Sequence, residues 1–245
     1  MNYYGKTDIG KKRAENQDCF GYKELDGMTL LAVCDGMGGA KGGAIASKLA
    51  LDSFLSACER DLKPTMEYPQ IRRVISSAIS EANSSVFRKA SQNKDLEGMG
   101  TTLVATLITQ ANVFIINVGD SRAYSVSGNE LEQVSHDHSY VQLLIDLGDI
   151  TPEEAEKHPD KHVITKAIGI SETLTPDIDL LETDNPSYIL LCSDGLTGMV
   201  KDNDIKEVMI SRSNIEEKAE KLISLANQNG GDDNVTVLIT ELLHY

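Results

Sequence analysis

Four aspartates in this chain share one setting, an apolar run followed by a carboxylate at a turn. Asp35 follows Leu30-Leu31-Ala32-Val33-Cys34 and precedes Gly36. Asp120 follows Phe114-Ile115-Ile116-Asn117-Val118-Gly119. Asp194 follows Ile189-Leu190-Leu191-Cys192-Ser193 and precedes Gly195. Asp233 stands in Gly230-Gly231-Asp232-Asp233-Asn234, ahead of Val235-Thr236-Val237-Leu238-Ile239. Each apolar run is short and bounded by turn residues, the pattern of a buried strand. Carboxylates at the ends of several buried strands can converge on one rim, where they repel unless cations sit among them. Oxygen ligands with no Cys/His pair nearby suit a hard ion, Mg²⁺ or Mn²⁺. A single Asp-Gly is ordinary turn chemistry; four in this setting, beside the motifs below, point to a metal centre.

Gly36-Met37-Gly38-Gly39-Ala40-Lys41-Gly42-Gly43 superficially suggests a phosphate-binding loop. It matches neither GxGxxG nor GxxxxGK[ST], because position 41 is lysine. It also follows an aspartate, which would repel a bare pyrophosphate. It reads better as a backbone turn that brings the Gly36 carbonyl toward a cation held by Asp35. Near the N-terminus, Arg13 in Arg13-Ala14-Glu15-Asn16-Gln17-Asp18 is a solvated basic residue or, in so acidic a chain, a fork for phosphate. Asp18 can serve as a ligand or as an acceptor for a cation's water.

These groups must be positioned by elements that the periodicities outline. Helical stripes run from about Ala44 to Leu62 (Leu51, Leu55, Cys58, Leu62), after Pro69 (Ile71, Ile75, Ala78, Ala82, Val86) and after Asn214 (Ile215, Ala219, Leu222, Ala226). Asn214 and Glu217 form a capping box, and Asn229-Gly230 a stop. Strands are expected over 29–35, 101–108, 113–118, 122–126, 187–192 and 235–240. Short turns between neighbours mean antiparallel pairing, with helices covering the sheets. Ser139 to about Gly169 is polar, with a short helix begun by Pro152 and capped by Thr151 or Asp149. Such an insert is surface packing or a flap beside a site.

The 245 residues show no linker and no fixed-period repeat, so one domain over 1–245 is expected. The net charge of −15 argues against nucleic-acid and anionic-membrane binding. No apolar run has membrane-spanning length and no signal core opens the chain. Cys19, Cys34, Cys58 and Cys192 lack CxxC spacing and are read as reduced thiols of a cytoplasmic protein.

Arg13…Asn16-Gln17-Asp18, Asp35-Gly36-Met37-Gly38-Gly39, Gly98-Met99-Gly100-Thr101-Thr102, Gly119-Asp120-Ser121-Arg122, Ser193-Asp194-Gly195-Leu196 and Asp233-Asn234-Val235-Thr236 occur in that order. Together, over essentially the whole chain, they resemble the metal-dependent protein phosphatases of type 2C, and the bacterial serine/threonine phosphatase branch in particular. The resemblance implies an α+β fold of two central antiparallel sheets between layers of helices, with a flap insert at about 139–169. It implies hydrolysis of phosphoserine and phosphothreonine with two Mn²⁺ or Mg²⁺ ions, and a third ion in bacterial members. By position, Asp35 bridges the two ions, Asp194 and Asp233 complete the first site, and the Gly36 carbonyl serves the second. Asp18 acts there through water, Asp120 with Asp194 holds the third ion, and Arg13 binds phosphate. The partners implied are phosphorylated proteins and an opposing bacterial serine/threonine kinase, with the enzyme acting as a monomer.

The chain departs from the eukaryotic pattern at Met37, where a histidine is the general acid; Ala40 takes the place at which many bacterial members carry one. His136 and His138, spaced HxH before the flap, are read as structural or solvated rather than ligating, as are His158 and His162. Competing readings are a non-catalytic metal-binding domain on the same fold, against which the complete aspartate set argues, and a purely structural acidic cation-binding protein, against which Arg13 argues.

Overall fold

The computed structural model describes residues 1–182 and 186–242, without the side chains of Ala40 and Lys41. His244 lies outside these residues. Two antiparallel sheets face each other between two layers of helices. The first sheet has the order β1 (Asn2–Asp8), β11 (Val235–Glu241), β10 (Tyr188–Cys192), β7 (Arg122–Ser127), β8 (Glu130–Gln133). The second runs β2 (Asp18–Leu25), β3 (Met28–Met37), β5 (Leu103–Ile108), β6 (Val113–Val118), β9 (Asp177–Leu180), with β4 (Gly100–Thr101) also paired to β3. Helices α1 (Gly39–Asp61) and α2 (Tyr68–Ser91) cover the second sheet. Helices α5 (Asp194–Thr197), α6 (Asp202–Ile210) and α7 (Ile215–Gln228) cover the first. The short helices α3 (Tyr140–Asp146) and α4 (Pro152–Ala155) lie in the insert.

The period of two along β3 builds two cores at once. Leu30, Ala32 and Cys34 pack toward α1 and α2, while Leu31 and Val33 pack between the sheets. On β11, Val235, Val237 and Ile239 face the α6–α7 layer and Leu238 faces the other sheet. Burial on both faces explains why these strands are almost continuously apolar. Extending the alternation, Asp35 falls on the face of Leu31 and Val33, at the mouth of the inter-sheet layer.

The structure corrects three expectations. The expected strand 101–108 is broken at Thr102, whose hydroxyl accepts the Asp35 N–H (3.0 Å) and whose own N–H donates to the Asp35 carbonyl (2.9 Å). Gly39–Gly43 is not loop but the first turn of α1, so the helix starts five residues before Ala44. The actual turn is at Gly38 and Gly39, with φ +120° and +71°. Gly42 and Gly43 sit inside a helix because the backbone crowds them: a Cβ on Gly43 would stand 2.7 Å from the Gly36 carbonyl oxygen. Finally, β1, β2, β8, β9 and α6 were not anticipated. The capping box at Asn214/Glu217 formed as expected, and of the two candidate caps before Pro152 it is Thr151 that caps α4, in a box with Glu154.

Candidate active site

Asp18 and Asp35 are register partners at one end of the β2–β3 ladder. On the facing sheet, Ser193 ends the inward face of β10 and Asp194 opens α5. The Ser193 hydroxyl donates to Asp18 Oδ2 (2.7 Å) and accepts from the Thr236 N–H (2.9 Å), so one serine bonds both sheets. Asp233 stands just before β11. Asn234 accepts from the Gln17 N–H (2.8 Å) and donates to the carbonyls of Ile9 (2.9 Å) and Glu15 (3.0 Å), pinning the Arg13 loop against Asp233. Arg13 is half exposed and bonds Asp233 Oδ2 at 2.5 Å. Gly195 is required where α5 meets this junction, since a Cβ there would lie 1.9 Å from the Asn234 carbonyl oxygen. The Gly36 carbonyl lies against Gly43, behind Asp35. Met37 pairs with Gly100 and offers no proton.

Asp120 follows Gly119, whose φ of +110° and approach to Thr102 admit only glycine without strain. Thr102 Oγ1 is 2.7 Å from Ser121 Oγ, which ties the Asp120 turn to the strand end of Asp35. The flap is stapled beside them: Ile168 exchanges backbone bonds with Thr101 (2.9 and 3.0 Å), and Thr101 Oγ1 donates to the Asp35 carbonyl. The HxH histidines do not converge on the carboxylates. His136 is exposed and paired with Asp146, and His138 is buried in hydrogen bonds. His158 meets Tyr140 edge to face, 5.9 Å between ring centroids. His162 of the flap is near enough to Asp194 to favour its ionised form.

The electrostatics are those of repelling carboxylates. Desolvation, with Asp18, Asp194 and Asp120 around it, raises the Asp35 pKa well above the ordinary carboxylate range. Asp18 is pushed up to about 6, mainly by burial and against the Ser193 hydrogen bond. Asp120 is pushed up to about 8 by burial, then by Asp194 and Asp137. Burial also raises Asp194, and Asp35 acts on it as a proton donor. Asp35, Asp120 and Asp194 are half-buried, while Asp18 is only 7% exposed.

A divalent cation fits this donor set. Asp18 Oδ1 and Asp194 Oδ1 are buried and accept no hydrogen bond from any protein group. The surroundings are oxygen-rich, and among the described residues every cysteine is free and Cys34 and Cys192 are fully buried. No three acidic, His or Cys side chains among the described residues close around one point. The carboxylates of Asp18, Asp35, Asp120 and Asp194 instead influence one another across the junction of the two sheets.

Comparison with known proteins agrees with this geometry. The sequence profile described as Protein phosphatase 2C matches residues 7–229. Serine/threonine phosphatase stp of Listeria monocytogenes is 37% identical over 237 residues, 96% of this chain and 94% of that protein. Protein phosphatase PhpP of Streptococcus pneumoniae is 35% identical over the same length, 96% of this chain and 95% of that protein. Among solved structures, the serine/threonine phosphatase Stp1 of Staphylococcus aureus superposes with a TM-score of 0.91 at 38% identity, covering 99% of this chain and 95% of that one. The Mycobacterium tuberculosis serine/threonine phosphatase PstP/Ppp gives 0.86 at 34%, covering 99% of each. The chain belongs to the protein phosphatase 2C family and is an enzyme of that family's metal-dependent, phosphate-removing kind.

Proposed function

We propose that this protein phosphatase hydrolyses phosphoserine and phosphothreonine in proteins, with two Mn²⁺ or Mg²⁺ ions and a weaker third site at Asp120. The observation that carries the reading is the pair of orphaned, buried carboxylate oxygens on Asp18 and Asp194, contributed by opposite sheets to one rim. When bound, the ions supply a water of lowered pKa and neutralise charge on the transferring phosphoryl group. Asp35 stands between Asp18 on its own sheet and Asp194 on the other, which suits it to bridge two ions. Asp194 and Asp233 would hold the first ion; the Gly36 carbonyl, and Asp18 through water, would serve the second.

Arg13 projects at the open side of the rim, where its guanidinium binds the phosphate dianion with a planar fork. In the resting site that fork is occupied by Asp233. Substrate therefore exchanges one carboxylate partner for a phosphate rather than desolvating a free cation. No serine or cysteine is placed as a nucleophile: Ser193 is wholly buried and spends its hydrogen bonds on Asp18 and Thr236.

Phosphorylated proteins and a bacterial serine/threonine kinase that opposes the enzyme follow as its partners. The enzyme is read as a cytoplasmic monomer, one domain over 1–245 with its flap at 139–169. Among the described residues no helix is long and apolar enough to cross a membrane. The direct test is release of phosphate from a phosphothreonine peptide with and without Mn²⁺. Full activity after exhaustive chelation would overturn the metal assignment.

A further inference from the structure

The turn that carries Asp120 is gripped by a histidine outside the carboxylate rim. The Gly119 N–H donates to His138 Nδ1 (3.1 Å), and the His138 N–H donates back to the Gly119 carbonyl (2.9 Å). Asn117 Nδ2 donates to that same carbonyl (3.1 Å) and to the His136 carbonyl (2.7 Å). Because Nδ1 accepts, the ring proton resides on Nε2. Nε2 lies 3.0 Å from Asp177 Oδ2, which takes that proton as a hydrogen bond. Lys166 Nζ reaches the other oxygen of Asp177 (3.3 Å) and lies 3.0 Å from Nε2, so two donors share one carboxylate. Asp177 is itself fixed in β9, in register with Asn117. His138 is only 5% exposed.

The same residue anchors the flap. The His138 carbonyl accepts from the Thr165 N–H (2.7 Å), Tyr140 N–H donates to Val163 (2.7 Å), and Ser139 bridges Ile164. Both ends of the 139–169 insert therefore meet at the residue that holds Gly119. With both ring nitrogens engaged, His138 has no lone pair left for a metal.

We propose that His138, oriented by Asp177 and Lys166, is a positioning residue that sets the Asp120 carboxylate for turnover and ties it to the root of the flap. The inference rests on the reading of Asp120 as a participant in the reaction. It asks of His138 what an outer partner of a ligand supplies, a fixed backbone beneath the carboxylate.

Two substitutions separate the two ring nitrogens. In His138→Asn an amide oxygen takes the place of Nδ1 and keeps the acceptor for Gly119. In His138→Gln a donor toward Asp177 remains, but the acceptor for Gly119 is lost. The first readout is amide hydrogen exchange over 119–122 and 163–166 in the metal-free protein. His138→Gln is expected to speed exchange at Gly119 at least about tenfold, the loss of roughly one hydrogen bond, while His138→Asn recovers most of the protection. The second readout is the Mn²⁺ concentration for half-maximal phosphothreonine-peptide turnover, in wild-type and Asp120→Ala backgrounds. His138→Gln is expected to raise that concentration with KM unmoved, and to lose its effect once Asp120 is gone.

Wild-type exchange at Gly119 in His138→Gln would overturn the proposal. So would an equal fractional loss in both backgrounds, which marks a merely structural role. Asp120→Ala with wild-type turnover would overturn the part assigned to Asp120 and, with it, the catalytic half of this inference; the exchange arm would still decide whether His138 holds the turn. Should His138→Gln fail to fold, Asp177→Asn removes the group that selects the tautomer and carries the same pair of measurements.

Discussion

Asp18 and Asp35 occupy one rung of the β2–β3 ladder, two carboxylates directly opposite each other on the face that looks toward the first sheet. Like charges in that relation destabilise a strand pair. The metal-free fold tolerates them because Ser193 bonds one and burial shifts both toward the protonated form.

Neutralising one member of that rung separates stability from activity. Asp35→Asn removes a repelled carboxylate and, on the proposed reading, the ligand between the two ions. We expect turnover of a phosphothreonine peptide to fall by more than about 100-fold, beyond what outer partners of a ligand cost. The Tm of the chelated protein should rise by a few degrees, at roughly 2–4 °C per kcal/mol for a chain of this size. Near-wild-type kcat would remove Asp35 from the centre.

Acid should stabilise the metal-free protein relative to neutral buffer. Asp18 and Asp120 rise from an ordinary 3.8 to about 6 and about 8. Groups raised on folding bind protons more tightly in the native state. Their contribution is therefore complete below the unfolded value and is lost as pH climbs through the folded one. Between about pH 4 and pH 8 the chelated protein loses stability on the order of a few kcal/mol, and added Mg²⁺ restores it. The rise in Tm on adding Mg²⁺ should thus be larger at pH 8 than at pH 5.5. A gap independent of pH would count against the carboxylate rim as the ion's seat.

Arg13→Ala tests the phosphate fork. Its ion pair with Asp233 is half exposed and adds little to stability, so unfolding should be almost unchanged. Loss of a charge-assisted bond to substrate, roughly 1.5–3 kcal/mol, predicts a 10- to 100-fold drop in kcat/KM, mostly through KM. Unchanged kcat/KM across several phosphopeptides would return Arg13 to a solvated turn.

Gly195→Ala introduces a methyl group 1.9 Å from the Asn234 carbonyl oxygen. The obstacle is backbone, so α5 or the 233–234 segment must shift. We expect a cost of roughly 1–3 kcal/mol in thermal unfolding, and a larger fractional loss of turnover because Asp194 and Asp233 lie on either side of the contact. Wild-type stability and activity together would show that the junction yields without consequence.

What could be read without coordinates was whatever a short window encodes. The apolar runs of β3, β6, β10 and β11 and the stripes of α1, α2 and α7 are local, and so are the capping boxes. β1 escaped because Asn2-Tyr3-Tyr4-Gly5-Lys6-Thr7-Asp8 is mostly half-exposed and owes its strand state to β11, some 230 residues later. β9 is four residues long and exists through its pairing with β6. Asp35, Asp120 and Asp194 stood out because each follows an apolar run, and Asp233 because it comes just before one. Gln17 and Asn234 stood in the quoted motifs without a role, since their hydrogen bonds span the chain. His138 was rightly kept from the metal, but nothing local reveals that it holds Gly119.

The order in which the strands alternate between sheets also sets when the enzyme can exist. β1 is made first and waits for β11, while Asp18 and Asp35 are complete long before Asp194 and Asp233. A ribosome adding roughly 5–20 residues per second leaves tens of seconds during which the nascent chain carries half a rim and an unpaired first strand. Such a chain has no bridged centre and cannot strip phosphate from its neighbours. The completed site therefore waits for β11, the element that joins β1 to β10 in the first sheet.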